Sequence, residues 1–176
     1  MLAGNDGVDL ACDAFIAAIN SAPSARQFGL ERQQEEAISN QSFVRILVVD
    51  DFTDWWHWIL EKLRENRGLQ VIGIASDGLE AVLKAKELQP DVVLLDIGLP
   101  KLDGIGAARH IRKVAPESKI LFLSQETDPD VVRAALSAGG NGYVVKSSAD
   151  RELLAAIEAV MLGKMFLSPR FTDHGA

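Results

Sequence analysis

The sequence predicts an α/β protein built on a doubly wound, five-stranded parallel β-sheet with helices on both faces. From residue 43 onward, five apolar runs of strand length alternate with five longer segments of helical character. Such alternation is typical of βαβ units, whose crossover helices bring parallel strands side by side. The runs are dense in Val, Ile and Leu, as expected for strands that are covered on both faces.

Each predicted strand is a short apolar run that ends at a polar residue. The runs are VRILVVD at 44–50, QVIGIAS at 70–76, DVVLLD at 91–96, KILFLS at 119–124 and GYVVK at 142–146. Runs of this length, bounded by turn-forming residues, favour strands over helices.

The predicted helices fill the intervals between these strands. They cover 53–66, 78–88, 104–114, 129–138 and 150–163. Thr53 and Asp150 are the expected N-caps, because a short polar side chain can accept from the free N–H groups of a first turn. Gly139 and Gly163 are expected to end the helices before them, and the pair QP at 89–90 separates the second helix from the third strand.

Two further segments flank this domain, which we place at 43–167. Residues 1–42 hold polar stretches rich in Ser, Gln, Asn and Glu that are poorly suited to a core, so we expect a partly disordered extension. One short amphipathic helix is predicted within it from apolar residues at helical spacing. These residues are Val8, Ala11, Phe15 and Ile19. Residues 168–176 are expected to form a flexible C-terminal tail.

The composition and the N-terminal sequence indicate which kinds of partner and which cellular compartment to expect for the protein. The 176 residues carry a formal net charge of −7, which disfavours nucleic acid as a direct partner, because phosphate binding relies on clustered Lys and Arg. The single cysteine, Cys12, can form no disulfide within the chain. The N-terminus lacks a basic region and an apolar run of membrane length, so we expect no secretory signal, no membrane span and a cytoplasmic protein.

The first, third, fourth and fifth predicted strands end in polar side chains that together suit a functional site. In α/β sheets of this kind the working crevice lies beyond the carboxyl ends of the strands, so these side chains are expected to converge there. They are Asp50 and Asp51 after the first strand, Asp96 after the third, Ser124 after the fourth and Lys146 after the fifth.

Three neighbouring carboxylates repel one another unless a cation lies between them. Mg²⁺ suits such a cluster, because it binds one or a few carboxylates and completes its shell with water and phosphate oxygens. An ammonium and a hydroxyl nearby suit the other oxygens of a phosphoryl group. Asp96 is the expected nucleophile, since a carboxylate can form an aspartyl phosphate and this one lies opposite Ser124 and Lys146.

Five motifs, in order along the chain, resemble the receiver domain of two-component response regulators. They are ILVVDD, ASDGLEAV, PDVVLLDIGLPKLDG, KILFLS and AGGNGYVVKSS, and the resemblance covers residues 44 to about 167. The chain looks like the NarL/FixJ-like branch, which is commonly joined to a LuxR-type helix-turn-helix. The resemblance implies a flavodoxin-like, CheY-like fold with strand order 2-1-3-4-5.

The resemblance also implies a role for each residue at the strand ends. Asp96 is the implied phosphoacceptor, Lys146 neutralises the phosphoryl oxygens, Ser124 is the switch hydroxyl, and Tyr143 is the aromatic that changes rotamer with it. The implied Mg²⁺ ligands are Asp50, Asp51, Asp96 and the backbone carbonyl of Gly98. Pro100 and Gly104 are implied to shape the loop after the third strand.

The implied phosphodonor is a phosphohistidine on a sensor histidine kinase, and the implied output is contact with a downstream protein that the sequence does not identify. The output face would comprise the fourth helix, the fifth strand and the fifth helix, and we also expect it to be the face for a homodimer. Because residues 164–176 are too few for a helix-turn-helix, we expect a stand-alone receiver that does not bind DNA. It would lose its phosphoryl group unaided, without being a turnover enzyme.

Two features depart from the commoner receiver pattern. Ser147 follows the lysine where many receivers have proline, so the resemblance leaves the geometry of that loop open. Gly98 and Glu126 lie two residues after Asp96 and Ser124, near where a hydrolytic water would approach. With no side chain at Gly98, our hypothesis is that Glu126 mainly governs dephosphorylation.

Three alternatives remain open on the sequence. The chain could be a receiver-like interaction module that is never phosphorylated, or a truncated transcriptional regulator. The third is a haloacid-dehalogenase-type phosphatase, which also uses a strand-end aspartate. Those enzymes have a second acid two residues later, where this chain has Gly98.

Three tryptophans, Trp55, Trp56 and Trp58, crowd the first predicted helix. Since adjacent residues cannot share one helix face, at least one is expected to be partly exposed. Core packing with one surface aromatic is the simpler interpretation, and a partner surface is the alternative.

Overall fold

A six-stranded parallel sheet organises residues 43–171, the part of the chain that the computed structural model describes. The strands lie in the order β2-β1-β3-β4-β5-β6, and each pair of neighbours runs parallel. They are β1 (Val44–Val49), β2 (Leu69–Ala75), β3 (Val92–Leu95), β4 (Lys119–Ser124), β5 (Gly142–Val145) and β6 (Phe166–Leu167). The predicted α/β class and the 2-1-3-4-5 order are confirmed, with one strand added.

Five α-helices within the described residues cover the two faces of the sheet. They are α1 (Thr53–Arg64), α2 (Gly78–Leu88), α3 (Gly104–Val114), α4 (Pro129–Ser137) and α5 (Ala149–Met161). The buried side chains of α1 and α5 pack on one face, and those of α2, α3 and α4 pack on the other. Two 3₁₀ turns, Lys146–Ser148 and Pro169–Phe171, follow β5 and β6.

The burial of β3 explains why the strands appear in the sequence as continuous hydrophobic stretches. Val93 and Leu95 enter the core under α2, α3 and α4, whereas Val92 and Leu94 enter the core under α1 and α5. All four side chains are at most 1% exposed. A strand covered on both faces has no position that favours a polar residue, so its first polar residue falls where the strand leaves the core.

The helix starts differ from the prediction at two positions. Thr53 lies inside α1, whose N-cap is Phe52, and Asp150 lies inside α5, whose N-cap is Ser148. The 3₁₀ turn after β5 leads directly into α5, so the helix begins before Asp150. That carboxylate then stands in the first turn, where it complements the helix dipole and forms an ion pair of 2.9 Å with Lys62.

The helix ends at Gly139 and Gly163 follow the prediction. Both glycines have positive φ, 107° and 73°, a conformation that side chains with a Cβ rarely adopt.

The sixth strand was not predicted. Its two residues pair with Gly142 and Tyr143 of β5, and two residues are too few to show an apolar period. Ordered packing continues past the predicted domain end at 167, because Ser168 is 1% exposed and Phe171 packs against the core.

Residues 1–42 and 172–176 lie outside the described residues, together with the predicted extension and its amphipathic helix. Within residues 43–171, the helices fall short of the length and apolar character that crossing a bilayer requires.

Candidate functional site

Two neighbouring strands place aspartates at the carboxyl edge of the sheet. Asp50 follows β1 and Asp96 follows β3. Backbone pairing continues one residue past each strand, since Asp50 N–H donates to the carbonyl of Ala75 and Asp96 N–H donates to that of Val49, each at 3.0 Å. The two side chains are therefore fixed by the sheet rather than by a loop.

Three carboxylates meet at this edge. Asp50, Asp51 and Asp96 each offer one oxygen, and these oxygens lie within 4.8 Å of one another. Asp50 and Asp96 are buried, whereas Asp51 is exposed. A set of hard oxygen donors with one open side fits Mg²⁺, which retains several waters when it binds carboxylates.

Lys146 joins the two buried carboxylates. Its Nζ lies 2.6 Å from Asp50 Oδ2 and 2.8 Å from Asp96 Oδ2, and its side chain is 8% exposed. The residue follows β5 and starts a 3₁₀ turn, so its stem runs along the same edge of the sheet. A buried ammonium between two carboxylates balances charge that would otherwise be costly to bury.

Asp50 is held in a strongly desolvated position. Burial raises its pKa above the usual aspartate value, although hydrogen bonds from Lys146 and from the Phe52 N–H, at 3.0 Å, act in the opposite direction. A cation close to this carboxylate therefore favours its ionised form.

Ser124 and Tyr143 lie next to each other beside the carboxylates. Ser124 ends β4 and is 2% exposed, and Tyr143 in β5 is fully buried. The Tyr143 hydroxyl donates to the Glu126 carbonyl at 2.9 Å, and the Glu126 N–H donates to Ser124 Oγ at 3.4 Å. Burial raises the pKa of Tyr143 to about 12, and a hydrogen bond with Ser124 opposes this rise.

The loop after β3 is shaped by close backbone approach. A Cβ on Gly104 would overlap the backbone carbonyl of Asp96, so only glycine fits there. Gly98 is exposed, and a Cβ there would meet nothing within 4 Å. The peptide between Lys146 and Ser147 is trans, because the described residues contain no cis peptide bond.

The sequence-predicted site residues thus fall into two groups. Asp50, Asp51, Asp96 and Lys146 are brought together directly, and Ser124 with Tyr143 forms an adjoining pair. Gly98 lies in the exposed loop two residues beyond Asp96, and its carbonyl remains a predicted ligand.

One contact at the site was not anticipated from the sequence. The ring of Trp55, in the first turn of α1, lies over Lys146 with 5.2 Å from Nζ to the ring centroid. Trp55 and Trp58 are half-buried and Trp56 is buried, in line with the expected partial exposure. The spacing of the three tryptophans is visible in the sequence. Helix periodicity alone, however, does not indicate which strand end an indole will face.

Comparison with known proteins decides the family. The sequence matches the response regulator receiver domain family over residues 46–158. The chain belongs to this family. Its members act in two-component phosphorelay signalling, in which receiver domains accept phosphate from sensor histidine kinases. Receiver domains are phosphoacceptors with weak autophosphatase activity rather than classical enzymes.

Individual relatives agree with this assignment. The response regulator GacA of Pseudomonas viridiflava is 38% identical over 132 residues, which cover 74% of this chain and 61% of that protein. The chemotaxis protein CheY of Thermotoga maritima is 35% identical over 116 residues, covering 66% of this chain and 96% of CheY. The chain therefore spans about three fifths of the GacA proteins that it matches.

A solved structure agrees as well. A LuxR-family two-component response regulator from Aurantimonas sp. superposes with a TM-score of 0.72 at 35% identity, covering 75% of this chain and 94% of that one. The receiver fold seen here is thus shared by a protein of related sequence.

Proposed function

We propose that this receiver is phosphorylated on Asp96 by the phosphohistidine of a sensor histidine kinase. The observation that carries the proposal is the position of Lys146 Nζ, 2.8 Å from Asp96 Oδ2, beside the oxygens of Asp50 and Asp51. Asp96 thereby lies between a fixed cation and two further carboxylates that could hold a metal ion with it. Such a group is poised to gain a phosphoryl group whose new charge is already balanced.

Asp50, Asp51 and Asp96 would hold Mg²⁺, with the backbone carbonyl of Gly98 as a further ligand. When bound, the ion would neutralise charge on the phosphoryl oxygens and orient them for in-line attack. The raised pKa of Asp50 supports this role, because a desolvated carboxylate gains most from a cation.

The transfer step needs little chemistry beyond positioning. A carboxylate oxygen of Asp96 attacks phosphorus, and an O–P bond forms as the P–N bond of phosphohistidine breaks. The ring nitrogen keeps the electron pair of that bond, and imidazole leaves neutral because its other nitrogen carries a proton. Lys146 stabilises the charge on the transferred group throughout.

Ser124 and Tyr143 would report the modification. Ser124 Oγ accepts a long hydrogen bond from the Glu126 N–H, at 3.4 Å, and also forms a hydrogen bond with Tyr143. A phosphoryl oxygen on Asp96 offers the Ser124 hydroxyl a stronger, charged acceptor. Movement of Ser124 would alter the packing of Tyr143, whose hydroxyl is bound to the same Glu126 segment.

The signal would then pass to a partner protein through the face made by α4, β5 and α5. The rearranged Glu126 segment leads into α4, and Tyr143 belongs to β5, so both parts of the switch border this face. A homodimer formed through the same face would be a second consequence of phosphorylation.

Labelling with a small phosphodonor tests the proposal. The native chain, incubated with acetyl phosphate and Mg²⁺, should gain the mass of one phosphoryl group, and EDTA or Asp96→Asn should prevent it. Asp130→Asn, which alters an exposed carboxylate on α4, should label like the native chain. A native chain that stays unmodified would favour the unphosphorylated interaction module.

A further inference from the structure

The indole of Trp55 lies over the lysine of the proposed phosphorylation site. Lys146 Nζ is 5.2 Å from the centroid of the Trp55 ring, within the range of a cation–π interaction. The same ammonium lies 2.6 Å from Asp50 Oδ2 and 2.8 Å from Asp96 Oδ2. We propose that Trp55 is a positioning residue whose ring holds Lys146 against Asp96. This inference rests on the proposed phosphorylation of Asp96 and deepens it.

The ring is itself held in place by a second indole. Trp55 stacks on Trp58 with centroids 4.9 Å apart and planes at 23°. The two residues are three positions apart on α1, a spacing that places side chains on the same helix face. Trp58 therefore orders Trp55, and Trp55 in turn faces the ammonium.

The indole N–H does not explain why tryptophan occupies position 55. Trp55 Nε1 is buried and has no hydrogen-bond partner among residues 43–171. A buried donor without an acceptor is unfavourable, so the N–H adds no stabilising hydrogen bond at this position. The part of Trp55 that interacts with Lys146 is the face of the indole ring, which attracts a cation.

Trp55 also limits the access of water to Lys146. Both residues line a pocket of about 410 Å³, whose other walls are Gln125, Thr127, Val145 and Ser147. Gln125, Thr127 and Ser147 are exposed, whereas the Lys146 side chain is only 8% exposed. Removal of the indole would hydrate the ammonium and free its rotamers. Its attraction for a phosphoryl group on Asp96 would then weaken.

Three variants separate this role from general packing. Trp55→Leu keeps apolar volume but has no aromatic face, and we expect labelling by saturating acetyl phosphate to slow roughly fivefold. Affinity for beryllofluoride, a phosphoryl mimic, should fall by a similar factor. Trp55→Phe keeps a face without the unpaired N–H and should restore both to within about twofold. Trp56→Leu removes the neighbouring indole of α1, which is buried in the core under α1 and α5, and should leave the rate near the native value.

A second measurement needs neither donor nor metal. In the ¹H–¹⁵N spectrum of the full chain, the Lys146 ammonium, assigned with Lys146→Met, should carry a ring-current shift that persists in Trp55→Phe and disappears in Trp55→Leu. An ammonium shift unchanged by Trp55→Leu would overturn the inference. So would a loss of labelling in Trp56→Leu as large as in Trp55→Leu, because the effect would then belong to α1 packing. A native chain that never labels would instead count against the proposed function, while the ammonium spectrum still decides the contact.

Discussion

Phe171 lies edge-on to Tyr143, with ring centroids 5.7 Å apart and ring planes at 88°. The contact connects the segment after α5 with the proposed switch tyrosine. The same segment runs alongside β5 and is hydrogen-bonded to it. Ser168 N–H donates to the Tyr143 carbonyl at 2.9 Å, and Ser168 Oγ accepts from Val145 N–H at 3.0 Å. Ser168 Oγ also donates to Glu152 of α5. A change in the position of the Tyr143 ring would therefore alter the packing of the residues that follow β6.

Truncation of Phe171 should loosen this segment. Phe171→Ala removes an aromatic pair and part of a half-buried ring, so we expect the free energy of unfolding in urea to fall by about 1–2 kcal/mol. Phe43→Ala, which removes a phenylalanine that is 39% exposed before β1, is the control and should cost less than about 0.5 kcal/mol. Equal losses in the two variants would mean that Phe171 does not anchor the segment.

The buried phenol of Tyr143 should ionise at a higher pH than an exposed tyrosine does. Burial raises its pKa from 10.0 to about 12, and it is the only tyrosine in the chain, so the absorbance of tyrosinate reports it alone. In the unfolded chain the phenol ionises near pH 10, while in the folded chain it stays neutral. Its contribution to stability is thus present below pH 10 and is lost as the pH rises towards 12. Titration of the native chain at pH 10 would show that the hydroxyl is accessible to water.

Much of the fold followed from two sequence patterns. The apolar runs predicted the first five strands with both ends of each strand within one residue of the observed ends. The polar residue that ends each run marked the carboxyl edge of the sheet. The positions of Asp50, Asp96 and Lys146 could be predicted because parallel strands bring their ends to one edge. Helix starts such as that of α5 could not, because a 3₁₀ turn leading into a helix leaves no distinct capping signal.

The remaining contacts depend on packing that a periodic pattern does not encode. Trp55 shares its helix with two other tryptophans, and only the twist of the sheet and the path of the β1–α1 loop decide which one faces Lys146. Ser168 is short and polar, as in many tails, yet it is buried because β6 pairs with β5. A strand of two residues is too short for its partner to be inferred from sequence.

Gly104 should be intolerant of any side chain. A Cβ there would overlap the Asp96 carbonyl, and backbone cannot move aside as a flexible side chain can. We expect Gly104→Ala to cost about 1–3 kcal/mol of stability and to displace Asp96, with reduced labelling by acetyl phosphate. Gly98→Ala is the matched control in the same loop, since its Cβ would meet open space, and it should unfold like the native chain.

Replacing Asp50 by asparagine should stabilise the fold while weakening Mg²⁺-dependent labelling. Its pKa is raised, chiefly by burial, so the ionised form is less favourable in the folded than in the unfolded state. Its contribution to stability is therefore full at low pH and is lost as the pH rises through the raised pKa. At neutral pH without Mg²⁺, Asp50→Asn should raise the free energy of unfolding by roughly 1 kcal/mol, the size of a typical stabilising substitution. Mg²⁺-dependent labelling should decline. A lower free energy of unfolding in Asp50→Asn would indicate that the ion pair with Lys146 contributes more than the burial of the carboxylate costs.

Glu126, rather than Gly98, should set the lifetime of the phosphorylated state. The Glu126 side chain is exposed beside the site, whereas its N–H and carbonyl are engaged with Ser124 and Tyr143, so Glu126→Ala keeps the backbone contacts and removes only the carboxylate. A carboxylate there can orient a water toward phosphorus, and its loss should lengthen the lifetime roughly tenfold or more. Gly98→Ala adds a methyl group that cannot orient water, so its lifetime should stay near the native value. Decay of the labelled chain, followed by intact mass after removal of the phosphodonor, gives both lifetimes, and the opposite ranking would reject the hypothesis.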